Sequence, residues 1–595
     1  MFEILLELLN IFSREFEKDP NIILDNYSLK DGVYIKLDET GEIIDHLFVK
    51  NKKDDDELFH SEKYEWFKER DYFSSILDTN KCIDTKNRKI HSNNFFTMFL
   101  KMENYKEKNN YIKLLNSHFE KLKNPRSYGS NDKNTQKIFD TLSETLPVDD
   151  MDNYNIEEYK KILIDKYGDI KNLLEEIKEK NNEKDSKFKS YYLKVFFDKD
   201  LDKYKKFYEL YTKPRIFASN SYNREGREGE IYGLPIPNIS LNSKKPFNQL
   251  KSTKFEAPFR VSPEQAMDLY NFFEFLSNLK NRYFYITGNC KFKGDYNQEN
   301  VDKENCHFIY KENENGKAII KDYDYLIDFD NNINFDYKKI IEPSKKLKMK
   351  EEYRPISRLY ELESKVDYYF FNQKLKNNYF EERIRDQSIS SYLKEILMIT
   401  RDSFYNYFKK NKVRDIKHIL TKYGVEIIKE NFKKSGDYVI PAFNLYISMK
   451  IYFELGGVEM KDKIRSNLEY FKKNGEDITQ LQNIEEYSFL AGQIVKYLIG
   501  KSKKSKKTHE LVSPFLNCST VEDMKHEIAG YFEKYKHELM LNQFRDNLIS
   551  ILFNFENEKE KIDFDMFFAG YLTRENIFYS NKEDRENLKK GDEII

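Results

Sequence analysis

Cysteine, tryptophan, histidine and proline are scarce in this chain of 595 residues, which has four Cys, one Trp, nine His and 13 Pro. Cys82, Cys290, Cys306 and Cys518 are too few and too far apart for a disulfide scaffold, and they fit a reducing compartment. Cys290 and Cys306-His307 fall short of the four converging ligands of a structural zinc site, so no metal and no cofactor is expected. No pair of His stands at metal spacing, which leaves little general acid–base chemistry. No run approaches the roughly 20 apolar residues of a membrane span. The first helix-like stretch carries Glu3 and Glu7 where a signal peptide needs positive charge. The expectation is a soluble, cytoplasmic protein without membrane contact. Gly-x-Ser-x-Gly, His-Glu-x-x-His and Gly-x-Gly-x-x-Gly are absent. Gly500-Lys501-Ser502 resembles the end of a phosphate-binding loop, but Val495 stands where that loop needs its first Gly.

What is present is charge and aromatic surface. Lys and Arg number 101 against 102 Asp and Glu, for a net charge of −1. The mean hydropathy is −0.81. That would be low for a packed globule, yet 47 Phe and 44 Tyr supply core material that disordered chains lack. At about 100–200 residues per domain the length allows several domain-sized units.

The first half mixes strands and helices. Val33–Leu37 and Ile43–Val49 are strand-like runs joined by the polar loop 38–41, which predicts a β-hairpin. A second hairpin is predicted with Asn315-Gly316 at its turn. Residues 100–210 read as charged helices. Residues 213–263 break that pattern with six prolines and Gly226, Gly229 and Gly233, marking a long irregular surface segment. Helix resumes with Ser262 as N-cap and Pro263 in the first turn. From about residue 346 the apolar residues recur at helical spacing, as in Phe489–Ile499 and in Leu541, Phe544, Leu548, Ile551 and Leu552. The reading is an α+β N-terminal half followed by an all-α C-terminal helical bundle. Its segments are an N-terminal α/β domain (1–345), a helical middle region (346–459) and a C-terminal bundle (460–595).

The positive charge is concentrated. Residues 213–260 hold nine cations (Lys213, Arg215, Arg224, Arg227, Lys244, Lys245, Lys251, Lys254, Arg260) against four anions. Tyr222, Tyr232, Phe247 and Phe255 are interleaved among them. Such a loop can reach phosphates, and Arg or Asn can read a base edge. Residues 491–509 hold Lys496, Lys501, Lys503, Lys504, Lys506 and Lys507 and no acid. That run is either a solvated linker or a track for a nucleic-acid backbone. A third element, residues 83–94, groups Lys86, Arg88, Lys89, His91, Asn93 and Asn94. The rest of the chain is acid-rich, so neutrality is an average over an acidic body and basic patches.

The run Asp71-Tyr-Phe-Ser-Ser-Ile-Leu-Asp-Thr-Asn80, with Ile83-Asp84 and Lys89-Ile-His-Ser-Asn-Asn94, resembles a signature of the large subunit of type I-B CRISPR interference complexes (Cascade). Phe489-Leu-Ala-Gly-Gln-Ile-Val-Lys-Tyr-Leu498, Ser513-Pro-Phe-Leu516 and Phe568-Ala-Gly-Tyr-Leu572 are similar to its C-terminal motifs. The order is right, and the resemblance covers the whole chain. Some relatives carry zinc-type Cys pairs in the middle, where this chain has only Cys290 and Cys306.

The resemblance implies a non-enzymatic subunit near the 5′ end of the guide RNA. Such a subunit recognises the protospacer-adjacent motif in double-stranded DNA, helps open the duplex into an R-loop, and presents the complex to a helicase-nuclease. Guide pairing reads most of the sequence, so the protein reads little. Implied partners are the guide RNA, target DNA, the backbone and 5′-handle subunits, and a small subunit. Asn220, Asn223, Arg224 and Arg227 are then assigned to the adjacent motif. Lys244, Lys245, Lys251, Lys254, Lys501, Lys503, Lys504, Lys506 and Lys507 are assigned to DNA backbone. Lys86, Arg88, His91 and Asn93 are assigned to RNA or a neighbouring subunit. The codons of Gly456-Gly457 can spell a ribosome-binding sequence before Met460, so internal translation of a small-subunit-like product is expected. A plain helix break at Gly-Gly is the alternative.

Two other readings stay open. Asp322, Asp324, Asp328 and Asp330 could hold a divalent metal for a nuclease, although their spacing fits a strand with one solvated polar face. A protein-only scaffold is the other.

Overall fold

The computed structural model describes residues 2–50, 61–123, 133–143, 154–218, 220–236, 260–292, 294, 296–314, 316–343, 353–432, 438–456, 460–501, 509–539 and 542–578. Strands β1 (Gly32–Leu37) and β2 (Ile43–Val49) pair antiparallel, as the sequence predicts. Their connection is set locally: Asp38 Oδ1 accepts from the backbone N–H of Thr40 at 2.9 Å and of Glu42 at 2.8 Å. Gly41 takes φ +89°, a left-handed turn position.

β3 (Thr97–Lys101) and β4 (Tyr192–Phe197) complete a four-stranded sheet of order β2-β1-β4-β3. β1 and β4 run parallel, with Gly32 opposite Tyr192, while β3 and β4 are antiparallel. A Cβ at Gly32 would collide with the Tyr192 carbonyl, so this crossing needs glycine. β1 and β4 are buried along nearly their whole length, as central strands covered on both faces are. β4 lies inside the stretch the sequence reads as helical. Its buried Lys194 interrupts the apolar run and hides the strand. Lys194 forms an ion pair with the fully buried Asp71, whose Oδ2 accepts from Tyr27 Oη at 2.7 Å. The Lys194 ammonium also faces the rings of Phe99 (4.7 Å) and Tyr34 (5.2 Å).

Helices α1 (Phe2–Lys18), α2 (Glu62–Tyr72), α3 (Lys108–Lys123), α4 (Lys133–Ser143), α5 (Ile156–Asp165), α6 (Tyr167–Lys180), α7 (Leu201–Thr212) and α8 (Pro263–Asn278) contribute to the same core. Ser262 caps α8 in a full capping box with Gln265, and Pro263 occupies the first turn. β5 (Arg224–Glu225) and β6 (Ile231–Tyr232) form a two-residue antiparallel ribbon. β7 (Tyr283–Thr287), β8 (Glu304–Glu314) and β9 (Lys317–Phe329) form a three-stranded sheet in that order. Gly316 turns between β8 and β9 at φ +77°, while Asn315 lies outside the described residues.

β10 (Asn332–Asp336) and β11 (Pro355–Arg358) pair antiparallel, where the sequence pattern gave no strand. Then follow α9 (Leu359–Phe371), α10 (Ser391–Lys410), α11 (Val413–Phe432), α12 (Val439–Tyr452), α13 (Met460–Asn474), α14 (Ile484–Gly500), α15 (Val521–Tyr535), α16 (Gln543–Phe553) and α17 (Phe564–Leu572). The protein is thus α/β in its N-terminal half and all-helical towards its C-terminus.

The chain divides into two compact units: residues 1–296 with 307–325, and residues 297–306 with 326–595. The second unit includes both the middle region and the C-terminal bundle. Within it, α14 and α17 approach closely. A Cβ at Gly492 would meet the Phe567 carbonyl, and one at Gly570 would meet the Phe489 carbonyl. Gln493 on α14 then binds the chain beyond α17: its Oε1 accepts from Ile577 N at 3.0 Å and its carbonyl from Asn576 Nδ2 at 2.9 Å. α17 also touches the middle region. Lys450 Nζ lies 2.5 Å from Asp565 Oδ2, Lys429 Nζ is 3.8 Å from the Phe564 ring centroid, and Phe432 stacks on Phe568 at 5.1 Å.

Candidate nucleic-acid interface

The basic residues of segment 83–94 are presented by a short rigid turn. Asp84 Oδ1 accepts from the backbone N–H of Lys86 (3.0 Å) and Asn87 (3.2 Å), and its Oδ2 accepts from Asn87 Nδ2 (2.6 Å). Burial pushes the Asp84 carboxyl up, but hydrogen bonds from Ser117 and Asn87 outweigh it and hold the group below its ordinary value. Arg88 takes φ +49°, a left-handed conformation that costs a non-glycine residue energy. Its guanidinium holds Asn80 Oδ1 (3.0 Å) and the Thr85 carbonyl (3.1 Å). Lys86, Arg88 and Lys89 are exposed.

His91 and Asn93 do not share that exposure. The His91 ring is half-buried between Tyr192 Oη (2.8 Å from Nδ1) and the Arg88 carbonyl (3.2 Å from Nε2). A carbonyl only accepts, so Nε2 carries the proton and Nδ1 accepts from tyrosine. Burial depresses the His91 pKa, which favours this neutral form. Asn93 is 3 % exposed, donates to the Ser75 carbonyl at 2.9 Å and accepts from Asn94 Nδ2 at 3.2 Å. The Asn93 amide, assigned to RNA or a neighbouring subunit, makes these bonds inside the fold, where it fixes the loop to residues 74–75.

The described part of segment 213–260 rises from the end of α7. Asn220, Arg224 and Arg227 are exposed, with Gly229 at φ +90° in the turn of the β5–β6 ribbon. Arg224 Nη1 donates to the Asn223 carbonyl (2.8 Å), and Arg260 Nε donates to the Tyr222 carbonyl (2.7 Å). Glu225 pairs with Lys137 on α4, while Glu228 and Glu230 are exposed beside Arg227. Asn223, assigned to the adjacent motif, is 3 % exposed. Lys244, Lys245, Lys251 and Lys254 lie outside the described residues.

These two basic elements, more than a hundred residues apart in sequence, are tied at their roots. Lys81 Nζ donates to the Phe217 carbonyl at 2.6 Å, and Arg215 Nη1 donates to the Cys82 carbonyl at 2.6 Å. Burial, with Arg215 as the nearby like charge, pushes the Lys81 ammonium down to about 8, so it remains mostly charged at neutral pH. The tip of the β8–β9 hairpin joins the same loop, since Lys317 Nζ lies 2.9 Å from Asp78 Oδ2. Lys81 belongs to none of the basic segments, and Arg215 is one of nine cations in 213–260 with nothing to set it apart. One cation beside Cys82 and another in a Pro-containing turn carry no pattern of their own.

Of the second basic patch, Lys496 and Lys501 are among the described residues. Lys501 caps the C-terminal end of α14, where the helix dipole favours a cation, with Nζ 4.9 Å from the Tyr497 ring centroid. Lys503, Lys504, Lys506 and Lys507 lie outside the described residues. Lys496 is turned inward instead, donating to the Thr573 carbonyl at 2.6 Å.

The aspartates in and just beyond β9 form no ligand group. Asp328 has φ +49° and donates its N–H to Asn305 Oδ1 at 2.9 Å, while Asp330 Oδ1 accepts from Asn332 N at 2.8 Å. Among the described residues no three His, Cys, Asp or Glu side chains come together as a metal ion would require. All four thiols are buried, and burial pushes that of Cys306 up to about 12. Among the described residues no helix is long and apolar enough to cross a membrane. No protein-family model, curated protein or solved structure matches the chain.

Proposed function

We propose that the chain is a non-catalytic, nucleic-acid-binding large subunit of an RNA-guided DNA surveillance complex of the type I-B kind. The observation that carries this reading is the double tether, Lys81 to the Phe217 carbonyl and Arg215 to the Cys82 carbonyl. It roots two exposed cation clusters, Lys86–Arg88–Lys89 and Arg224–Arg227, in one place. Phosphate contacts position such a protein and base contacts specify its site. In this reading Lys86, Arg88 and Lys89 hold the 5′ part of the guide RNA. Asn220, Arg224 and Arg227 meet the duplex that flanks the target. The lysines beyond α14 attract the displaced strand. The backbone and 5′-handle subunits, a small subunit and a helicase-nuclease complete the assembly.

Met460 opens α13 and follows Gly456, which takes φ +81°. A product started at Met460 would carry α13–α17 without Lys429, Phe432 and Lys450, the groups that cover Phe564, Phe568 and Asp565. That newly bared face is what a small subunit would use for assembly. Synonymous recoding of Gly456 and Gly457 removes the short product if the internal start is used.

The deciding experiment is purification of the tagged protein from its native cell with sequencing of bound RNA. Recovery of repeat-derived guides with a multi-copy backbone subunit is the expected result. Arg224→Ala with Arg227→Ala should then abolish discrimination of the adjacent motif and leave assembly intact. RNA-free protein whose associations do not change with salt would point to a scaffold, because phosphate binding weakens steeply with salt. Metal-dependent cleavage by the purified chain would overturn the non-catalytic assignment.

A further inference from the structure

Arg545, in the first turn of α16, is 8 % exposed, and no acid among the described residues forms an ion pair with it. Its Nη1 donates to Tyr497 Oη, and its guanidinium carbon lies 5.5 Å from the Tyr497 ring centroid. Its Nε is buried without a hydrogen-bond partner, and its Nη2 makes no hydrogen bond among the described residues. Burying a cation without a counter-charge is costly, and one ring and one hydroxyl offset only part of that cost. The first turn of a helix also carries the positive end of its dipole, which adds to the demand for an anion. A second cation meets the same ring, since Lys501 Nζ is 4.9 Å from its centroid. Lys501 is half-buried, and Asn542, Gln543 and Asp546, which flank Arg545, are exposed, so the two cations lie close to the surface. Lys496, one residue before Tyr497, is pushed down to about 8 by burial and by the like charge of Arg574, with no carboxylate offsetting them.

We propose that Arg545 and Lys501 form a phosphate site for the backbone of a single-stranded nucleic acid, at the root of the lysine-rich residues 501–507. The inference rests on the nucleic-acid reading above and adds to it a residue, Arg545, that lies in none of the basic segments. A guanidinium is a planar fork that takes two oxygens of one phosphate. Nε–H and Nη2–H share one edge of that fork, while Nη1 keeps its bond to Tyr497 Oη. Arg545 is also fixed at its root, where its backbone N–H donates to Asn542 Oδ1 at 3.0 Å. Lys501 supplies a point charge beside the fork, and the lysines that follow it in sequence suit a polyanion better than a single carboxylate. Tyr497 is 1 % exposed, so its ring offers a base no stacking surface. The site therefore holds backbone and does not choose among bases.

The test uses the full chain with a labelled oligothymidine and a labelled oligodeoxyadenosine of equal length, titrated by fluorescence anisotropy over a range of salt. Arg545→Met keeps the bulk of the side chain and removes its charge. It should weaken binding of both strands by about tenfold, the scale of one charge-assisted contact. It should also lower the slope of log affinity against log salt by about one. Arg545→Lys keeps the charge without the fork, and should restore the slope but not the full affinity. Lys501→Ala changes a half-buried position at a helix end and should lower the slope by about one as well; it carries the comparison if Arg545→Met does not fold. Variants that keep wild-type affinity and slope overturn the phosphate site while the nucleic-acid reading stands. A loss confined to one of the two strands shows base contact and overturns the backbone assignment. Absence of salt-sensitive binding of either strand to the wild-type protein overturns the nucleic-acid reading itself.

Discussion

The α14–α17 helix pair and the tethered loops of the candidate interface both join residues distant in sequence, but they do so by different means. The helices meet through absence: Gly492 and Gly570 remove side chains, and each backbone comes up against the other. The loops meet through reach: long cationic side chains, Lys81 and Arg215, each end on a main-chain carbonyl of the other loop. A contact made by absence tolerates no added atom. A contact made by reach can be cut while the backbone around it survives. The first kind therefore belongs to stability and the second can serve binding.

The largest effect is expected outside both, at the buried pair that anchors the sheet. Asp71→Ala leaves Lys194 charged and unpaired in the core and should cost about 3–5 kcal/mol in urea denaturation. Asp71→Leu with Lys194→Met should recover most of that loss. Failure of the double variant to recover would show that the sheet needs the ion pair itself. Next comes the helix pair: Gly570→Val should cost about 1–3 kcal/mol or more through overpacking. An unchanged midpoint would remove the close approach from the comparison.

A third effect concerns pH. His118 is fully buried, and neither ring nitrogen has a hydrogen-bond partner among the described residues. Burial pushes its pKa down to about 3, although Asp84 pulls the other way. The unfolded ring titrates near ~6.5. Its neutral form is thus what the fold accepts. This contribution is fully present above about pH 6.5 and is lost as the pH falls towards 3. His118→Phe should flatten the part of the stability profile that falls between those limits; an unchanged slope would assign it to other groups. The smallest effect is at the ribbon. Lys137→Ala removes an exposed pair and should change stability by less than about 1 kcal/mol. A larger loss would mean that the Lys137–Glu225 pair holds the ribbon more strongly than an exposed pair should.

Local chemistry was legible. The Val33–Leu37/Ile43–Val49 hairpin, the Ser262-Pro263 helix start and the helical run of the C-terminal half follow from period, turn residues and caps. β4 was not legible, because Lys194 sits in an apolar run and its justification, Asp71, is more than a hundred residues away. The same reason governs the site. Charge clustering pointed to Arg224, Arg227, Lys86 and Arg88, which are exposed. The resemblance, and not charge, assigned Asn93 and Asn223, whose residue type suits base reading but whose side chains the fold buries.

What the sequence determined by itself is therefore the class of the fold, the position of its basic segments and the helices of its second half. These depend on neighbours a few residues apart. Only the tertiary structure decided that Lys81 and Arg215 bind two basic loops together, that Gly492 and Gly570 are contact points, and that Asn93 and Asn223 turn inward. Such outcomes depend on which carbonyl, ring or charge arrives from a distant part of the chain, and no local pattern encodes that arrival.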